Sequence, residues 1–342
     1  MIFIDKNASR KEQFYKLIER CYDDYCFFNQ FDMEKRKQFV TERMSEIGEN
    51  ELVIPYLPLY LTTKCSLNCE KCNNLMPMFH GKAYDFSWEK TRNSLDYILD
   101  NVKEMIFCEL VGGEPFLNSE FENILDYVMH EKKIRQIVVV TNGTVIPSDS
   151  VLCKLRESKA LVRVSDYGLF EKMSQFVAKL DSASINVRIQ QDMKWNDPGN
   201  TLKRGKNTDE LKRQYNRCEF SMKCKYLCEN QLFTCARAAS LYKLGITDAE
   251  GDVMTISANT TKQELLDFYL HDYGAVCDYC DLWSDYGGDE IPAAVQVGGK
   301  TMPHSRYTII SNYELNCYKQ KANKFDQVSK QNVDDIGQSY ER

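Results

Sequence analysis

Nine residues carry the densest chemistry in the chain: Lys64-Cys65-Ser66-Leu67-Asn68-Cys69-Glu70-Lys71-Cys72. Three thiols stand here at spacings of four and three residues, directly after the apolar run Tyr56–Leu61. Three thiolates can hold three irons of a four-iron cluster and leave the fourth iron open, a place for a small molecule to bind and be reduced. The other cysteines fall into a second group (Cys218, Cys224, Cys228, Cys235), a pair (Cys277, Cys280) and singles at 21, 26, 108, 153 and 317, fourteen in all. In a reducing compartment so many thiols point to metal or cluster ligation, not to structural disulfides.

The elements that must position these thiols are legible from periodicity. Residues 8–47 read as two helices, with Phe14, Leu17, Ile18, Cys21 and Tyr25 on one face. Strands are expected at Leu57–Leu61, Met105–Val111, Ile137–Val140, Leu161–Val164 and Ile185–Ile189. Between them lie helical stripes, the first formed by Trp88, Leu95, Ile98 and Leu99 with Ser87 as N-cap. This alternation implies an α/β fold with a parallel sheet, curved or closed into a partial barrel, whose ligands bind at the carboxyl ends of the strands. The polar punctuation falls at those ends: Gly112-Gly113-Glu114-Pro115, Thr141-Asn142-Gly143, Ser165-Asp166-Tyr167-Gly168, and Gln190-Gln191 leading to Trp195. Cys108 and Cys153 are expected in the core, and the direction of Arg163 within its strand is open.

Composition narrows the function classes. A net charge of −6 with 43% hydrophobic residues describes an ordinary globular balance, with no basic stripe for nucleic acid. No apolar stretch approaches a membrane span and the first residues lack a signal-peptide core, so a cytoplasmic location is expected.

Cys65-x3-Cys69-x2-Cys72 after one strand and Gly112-Gly113-Glu114-Pro115 after the next closely resemble the radical S-adenosylmethionine (radical SAM) superfamily, over about residues 54–195. The resemblance implies a partial (β/α)6 TIM-like barrel and a [4Fe-4S] cluster whose open iron chelates S-adenosylmethionine (SAM). Gly112 and Gly113 would bring the backbone close to the methionine ammonium, Glu114 would accept a hydrogen bond from it, and Asn142, Ser165 and Gln190 would hold ribose or carboxylate. Relatives often place an aromatic residue before the third cysteine; here it is Lys71.

Polar residues 198–217, including Lys203-Arg204-Gly205-Lys206-Asn207, read as a solvated connection after the barrel. Beyond them, Cys218-x16-Cys235 and Cys277-x2-Cys280 resemble the twitch form of the SPASM domain, which holds one auxiliary [4Fe-4S] cluster. That resemblance implies Cys218, Cys235, Cys277 and Cys280 as its ligands, with Cys224 the rival for the first place. Asn230 would stand at a position usually held by glycine, in a left-handed turn. The division expected is a helical lead-in (1–50), the barrel (51–200), the auxiliary domain (201–300) and a polar tail (301–342). The histidines carry no motif.

The resemblance implies flavodoxin or ferredoxin as electron donor. The leading reading is oxidation of a sugar or cyclitol alcohol, with the auxiliary cluster taking the electron and with Asp166, Arg188 and Trp195 as pocket candidates. The alternatives are modification of a ribosomally made peptide and, outside enzymes, a zinc-stabilised binding module.

Overall fold

Two wholly buried strands, β1 (Val53–Tyr60) and β2 (Glu104–Val111), set the architecture of the protein. They run parallel in register from Val53↔Glu104 to Tyr60↔Val111. Burial on both faces is why their sequences are nearly continuous apolar runs. The computed structural model describes residues 8–48, 51–191, 193–285, 287–297 and 308–309. The expectations for Gly298-Gly299, His304, Cys317 and the tail beyond 309 lie outside the described residues.

From β2 the sheet continues in parallel through β3 (Ile134–Thr141), β4 (Leu161–Ser165) and β5 (Asn186–Gln190). The crossovers are α4 (Trp88–Asn101), α5 (Phe121–His130), α6 (Asp149–Glu157) and α7 (Met173–Ser182). Ser87 caps α4, its hydroxyl accepting the Lys90 N–H. The loop from β1 to α4 carries one short helical turn, α3 (Met76–Phe79). A sixth parallel position is filled by β7 (Tyr226–Cys228), which joins the free edge of β1 at Leu59↔Leu227. Antiparallel strands β8 (Gln231–Phe233) and β9 (Val253–Thr255) then extend that edge. At the opposite edge, β11 (Thr308–Ile309) pairs with β5. The fold is a partial α/β barrel built on a parallel sheet, with a cysteine-rich region continuing that sheet. That sheet therefore crosses residue 200, where the sequence placed a boundary.

The lead-in forms α1 (Arg10–Phe28) and α2 (Met33–Glu46). Phe14, Leu17, Ile18 and Cys21 of α1 pack into the core that contains β1 and β2, whereas α2 buries no residue. Among the described residues, no helix is long and apolar enough to cross a membrane.

Three local expectations need correction. Cys153 is half-buried on α6, its thiol directed at Glu157, because the stripe of that helix is carried by Val151, Leu152 and Leu155. The left-handed residue in the β7–β8 hairpin is Glu229 (φ 55°), not Asn230. Cys228 pairs directly with Gln231, so the two-residue turn places its positive φ at the first central position. Arg204 and Lys206 are not a solvated connection: Arg204 pairs with Asp281 at 2.8 Å, and the Lys206 ammonium donates to the carbonyls of Cys277 (3.0 Å) and Cys280 (2.6 Å).

Candidate active site and cysteine centres

The loop after β1 puts Cys65, Cys69 and Cys72 on one wall of a cavity of about 490 Å³ at the carboxyl ends of the strands. Its attachment explains the paired glycines. A Cβ on Gly112 would lie 2.6 Å from the Thr62 carbonyl oxygen, and one on Gly113 would lie 2.3 Å from that of Lys64. Only glycine lets the end of β2 run so close to the cysteine loop. The Gly113 and Glu114 N–H groups then donate to the same two carbonyls at 2.9 and 2.8 Å. The close approach is to the loop itself, so these glycines also set where the thiols stand.

Burial dominates the electrostatics of the trio. It pushes the Cys65 thiol up to about 12 and Cys69 to about 11, and raises Cys72. The free side chains are neutral thiols at physiological pH, and a bound cation is what would hold them as thiolates. Donors already face them: Leu67 N–H and Asn142 Nδ2 point at Cys65 Sγ (3.5 and 3.7 Å), and Gln296 Nε2 at Cys69 Sγ (3.1 Å).

Gly112, Gly113, Asn142, Ser165 and Trp195 line the cavity; Glu114, Gln190, Asp166 and Arg188 do not. Glu114 lies beneath the glycines, wholly buried, where it accepts from the Thr141 hydroxyl and the Asn142 N–H at 2.9 Å. Burial raises its carboxyl to about 7 against the pull of those hydrogen bonds. It holds the end of β3 in place and does not line the cavity. Gln190 gives its carbonyl to the Asp166 N–H, while the Asp166 carboxylate closes its own turn through Gly168 and Gln191. Arg188, in register with Arg163 on the neighbouring strand, sits over the Phe28 ring of α1. Lys71 faces the cavity and pairs with Asp197 at 2.9 Å, which fixes the loop after β6 (Lys194–Asn196) against the cysteine loop.

Of the other lining residues, Glu109 and Tyr167 escaped sequence reasoning, and Arg163, whose direction the sequence left open, faces the cavity. Glu109 and Arg163 form an ion pair of 3.1 Å inside the barrel. Each lies two residues before the end of its strand, and the alternation of strands turns both to the face that bears Val111 and Ser165. Tyr167 lines the cavity and meets Trp195 edge-to-face at 5.7 Å. Gln296 belongs to a segment held on the cysteine loop by Glu70 N–H to Val295 O and Val297 N–H to Asn68 O, both 2.8 Å. The docking of residues 295–297 against residues 68–70 leaves no signal in the sequence. Just before it, Glu290–Pro292 forms a strand, β10, paired antiparallel with β6.

A second cavity, of about 40 Å³, is lined by Cys218, Cys235, Cys277 and Cys280 together. It lies where α8 (Thr208–Arg217), α9 (Glu219–Lys223) and α10 (Ala236–Lys243) converge. Cys235 is the N-cap of α10, with the Ala238 N–H 3.4 Å from its sulfur. Burial raises all four thiols, Cys235 to about 12. Cys224 is not in this cavity, and neither is Cys228, which packs with Tyr60 and Phe233. Among the described residues, no group of three His, Cys, Asp or Glu side chains is close enough to hold a single metal ion.

The sequence model of the radical SAM superfamily matches residues 59–165, from the end of β1 to the end of β4. This stretch is a radical SAM domain. Its cofactors are a [4Fe-4S] cluster and SAM, and the residues present suit them: three soft donors on one loop, a glycine cradle and a cavity of small-molecule size. Outside the matched stretch, Trp195 closes one side of the radical SAM cavity and Gln296 braces its cysteine loop.

The chain is 30% identical over 149 residues to the antilisterial bacteriocin subtilosin biosynthesis protein AlbA of Bacillus subtilis (strain 168), covering 41% of this chain and 32% of that protein. It is 30% identical over 138 residues to the GTP 3',8-cyclase of Aquifex aeolicus (strain VF5), covering 38% of this chain and 40% of that one. The chain thus spans well under half the length of these curated relatives. Among solved structures, anSMEcpe with bound AdoMet and Cp18Cys peptide superposes with a TM-score of 0.44 at 15% identity, over 78% of this chain and 94% of that one. BtrN in complex with AdoMet and 2-DOIA gives 0.43 at 12%, over 76% and 100%.

Proposed function

We propose that the chain is a radical SAM dehydrogenase that oxidises an alcohol carbon of a sugar or cyclitol. The observation that carries this reading is the single cavity that joins the three thiols to the Glu109–Arg163 pair. A carboxylate and a guanidinium set side by side in a barrel suit a small polyhydroxylated molecule, which offers donors and acceptors together.

When bound, the cofactors supply a one-electron cleavage of SAM that yields an adenosyl radical able to take a hydrogen atom. Cys65, Cys69 and Cys72 would hold the first cluster, and Asn142 and Ser165 would orient SAM beside Gly112 and Gly113. Glu109 would accept the substrate hydroxyl and take its proton, and Arg163 would hold the neighbouring oxygen. Tyr167 and Trp195 would exclude water from the same space. Conversion of an alcohol to a ketone releases a hydrogen atom, a proton and one electron. Cys218, Cys235, Cys277 and Cys280, within an auxiliary domain at 201–300, would hold a [4Fe-4S] cluster able to take that electron. Flavodoxin or ferredoxin would supply the electron for SAM cleavage.

The test is anaerobic reconstitution with SAM, a reductant and a panel of deuterium-labelled sugars and cyclitols. Transfer of deuterium into 5′-deoxyadenosine supports the reading; no transfer from any member of the panel sinks the substrate class. The bacteriocin-biosynthesis role in the name of AlbA favours peptide modification as the second reading, and deuterium arriving from a labelled precursor peptide would select it. Zinc without iron in the purified protein would instead leave only a binding module.

A further inference from the structure

Arg237 is among the largest fully buried side chains of the protein, at 1% exposure, and it lines the cavity of the four thiols two residues after Cys235. Its guanidinium is anchored at two points: Nε donates to Tyr279 O at 2.9 Å and Nη2 to Asn200 O at 2.7 Å. Nη1 is buried and has no hydrogen-bond partner. A buried guanidinium cannot shed its proton, and leaving its N–H groups unpaired is costly. Both partners are neutral carbonyls; among the described residues no carboxylate pairs directly with this charge, and Asp281, itself paired with Arg204, and Asp197 act on it from farther away.

Among the described residues Arg237 is the cation that lines this cavity. It shares the cavity with the buried Asp252 carboxyl, itself accepting from the Thr234 hydroxyl and the Val276 N–H. Arg10, bonded to Asn216 and Ser221, and two lysines lie around it. Lys206 donates to Gln214 and to the carbonyls of Cys277 and Cys280. Lys225 donates to Tyr215 and Ser221. Asn73, next to Cys72, lines both this cavity and the larger one, so Arg237 stands on the side of the four thiols that borders the first cysteine loop.

We propose that Arg237 is a positioning residue for a cluster held by Cys218, Cys235, Cys277 and Cys280. Its buried charge and free Nη1 donors raise the reduction potential of that cluster and so make it an electron acceptor. A four-iron cluster on four thiolates is anionic and gains a further negative charge on reduction; a fixed cation beside it favours the reduced form. The inference rests on the auxiliary-cluster part of the reading above.

The test uses the full chain with Cys65→Ala, Cys69→Ala and Cys72→Ala, so that only the second site is read. Anaerobic reconstitution should give about four irons per chain; none would remove the auxiliary cluster itself, a failure distinct from failure of the Arg237 role. With iron bound, a potentiometric titration followed by electron paramagnetic resonance compares Arg237→Gln with Arg237→Lys. The ratio of reduced to oxidised cluster at fixed potential should fall at least tenfold in Arg237→Gln, a drop of about 59 mV for one electron. Arg237→Lys should recover most of it. An unchanged ratio in Arg237→Gln overturns the proposal. Should Arg237→Gln not load, Arg237→Lys decides: loading restored by lysine supports a need for charge, and failure of both variants reduces the side chain to an anchor for Tyr279 and Asn200.

Discussion

Gln296 clasps the cysteine loop at two points: its Nε2 lies 3.1 Å from Cys69 Sγ, and its Oε1 accepts the Asn68 N–H at 2.7 Å. Residues more than two hundred positions apart thereby share one turn. A hydrogen bond to an ionised sulfur contributes roughly 1.5–3 kcal/mol. Gln296→Leu should therefore load iron at Cys65, Cys69 and Cys72 but release it faster. Gln296→Glu, which sets a carboxylate against the thiolate, should be worse. Iron per chain after repeated anaerobic desalting checks both; retention equal to wild type in both variants would reduce Gln296 to a packing residue.

Glu114 makes stability depend on pH. Burial raises its carboxyl from an ordinary 4.5 to about 7. Between those values the folded chain keeps a proton that the unfolded chain has released. The contribution is therefore whole below pH 4.5 and is lost as pH rises through 7, on the order of 3 kcal/mol. Glu114→Gln should remove that slope. Urea unfolding at pH 5 and pH 8 measures it: wild type should lose more stability than the variant between the two, and parallel losses would contradict the assignment.

Cys218 and Cys224 are both buried enough to pass for structural thiols, yet they occupy different surroundings. Cys218 lines the four-thiol cavity and Cys224 does not; the groups acting on Cys224 are Glu109, Lys223 and Arg163 and, least of them, Cys235. Cys218→Ala should lower the iron content toward one cluster per chain, whereas Cys224→Ala should leave it at about eight irons. The reverse order, measured on reconstituted full chains, would exchange their roles.

Much of this arrangement was legible from residue type and spacing. The spacing of Cys65, Cys69 and Cys72 records a constraint set by near neighbours in sequence; Gly112, Gly113 and the apolar runs of β1 and β2 answer to distant parts of the chain, yet they are legible because residue type alone records the close approach and the burial. Glu109, Gln296 and Arg237 record constraints set across the fold. Glu109 sits in a run of apolar residues and is explained only when β4 brings Arg163 beside it. Lys206 reads as solvated until Cys277 and Cys280 supply the carbonyls that hold it. Asp166 and Gln190 do stand at strand ends outside the cavity lining: the Asp166 carboxylate accepts from the Gly168 N–H and from Gln191, and the Gln190 backbone carbonyl accepts from the Asp166 N–H. Position at a strand end selects candidates, and local hydrogen bonds compete for their polar groups.

The Glu109–Arg163 pair separates stability from chemistry. Glu109 is buried at 5% side-chain exposure and Arg163 is partly open to the cavity at 28%. Glu109→Gln keeps the volume but leaves the guanidinium without its counter-charge. Breaking a fully buried pair costs about 3–5 kcal/mol, and the exposure of Arg163 to the cavity should bring the loss toward the lower end. The double variant Glu109→Gln, Arg163→Gln removes both charges and should regain much of that stability. If the pair serves only the fold, activity should return with it. If the pair holds substrate, the double variant should still cleave SAM in the uncoupled reaction at the wild-type rate, yet transfer deuterium from substrate at least tenfold more slowly. Melting temperature, uncoupled 5′-deoxyadenosine and deuterium transfer, measured on the three variants (each single and the double), distinguish the two cases. Substrate-coupled turnover that recovers in step with melting temperature would remove Glu109 and Arg163 from substrate recognition.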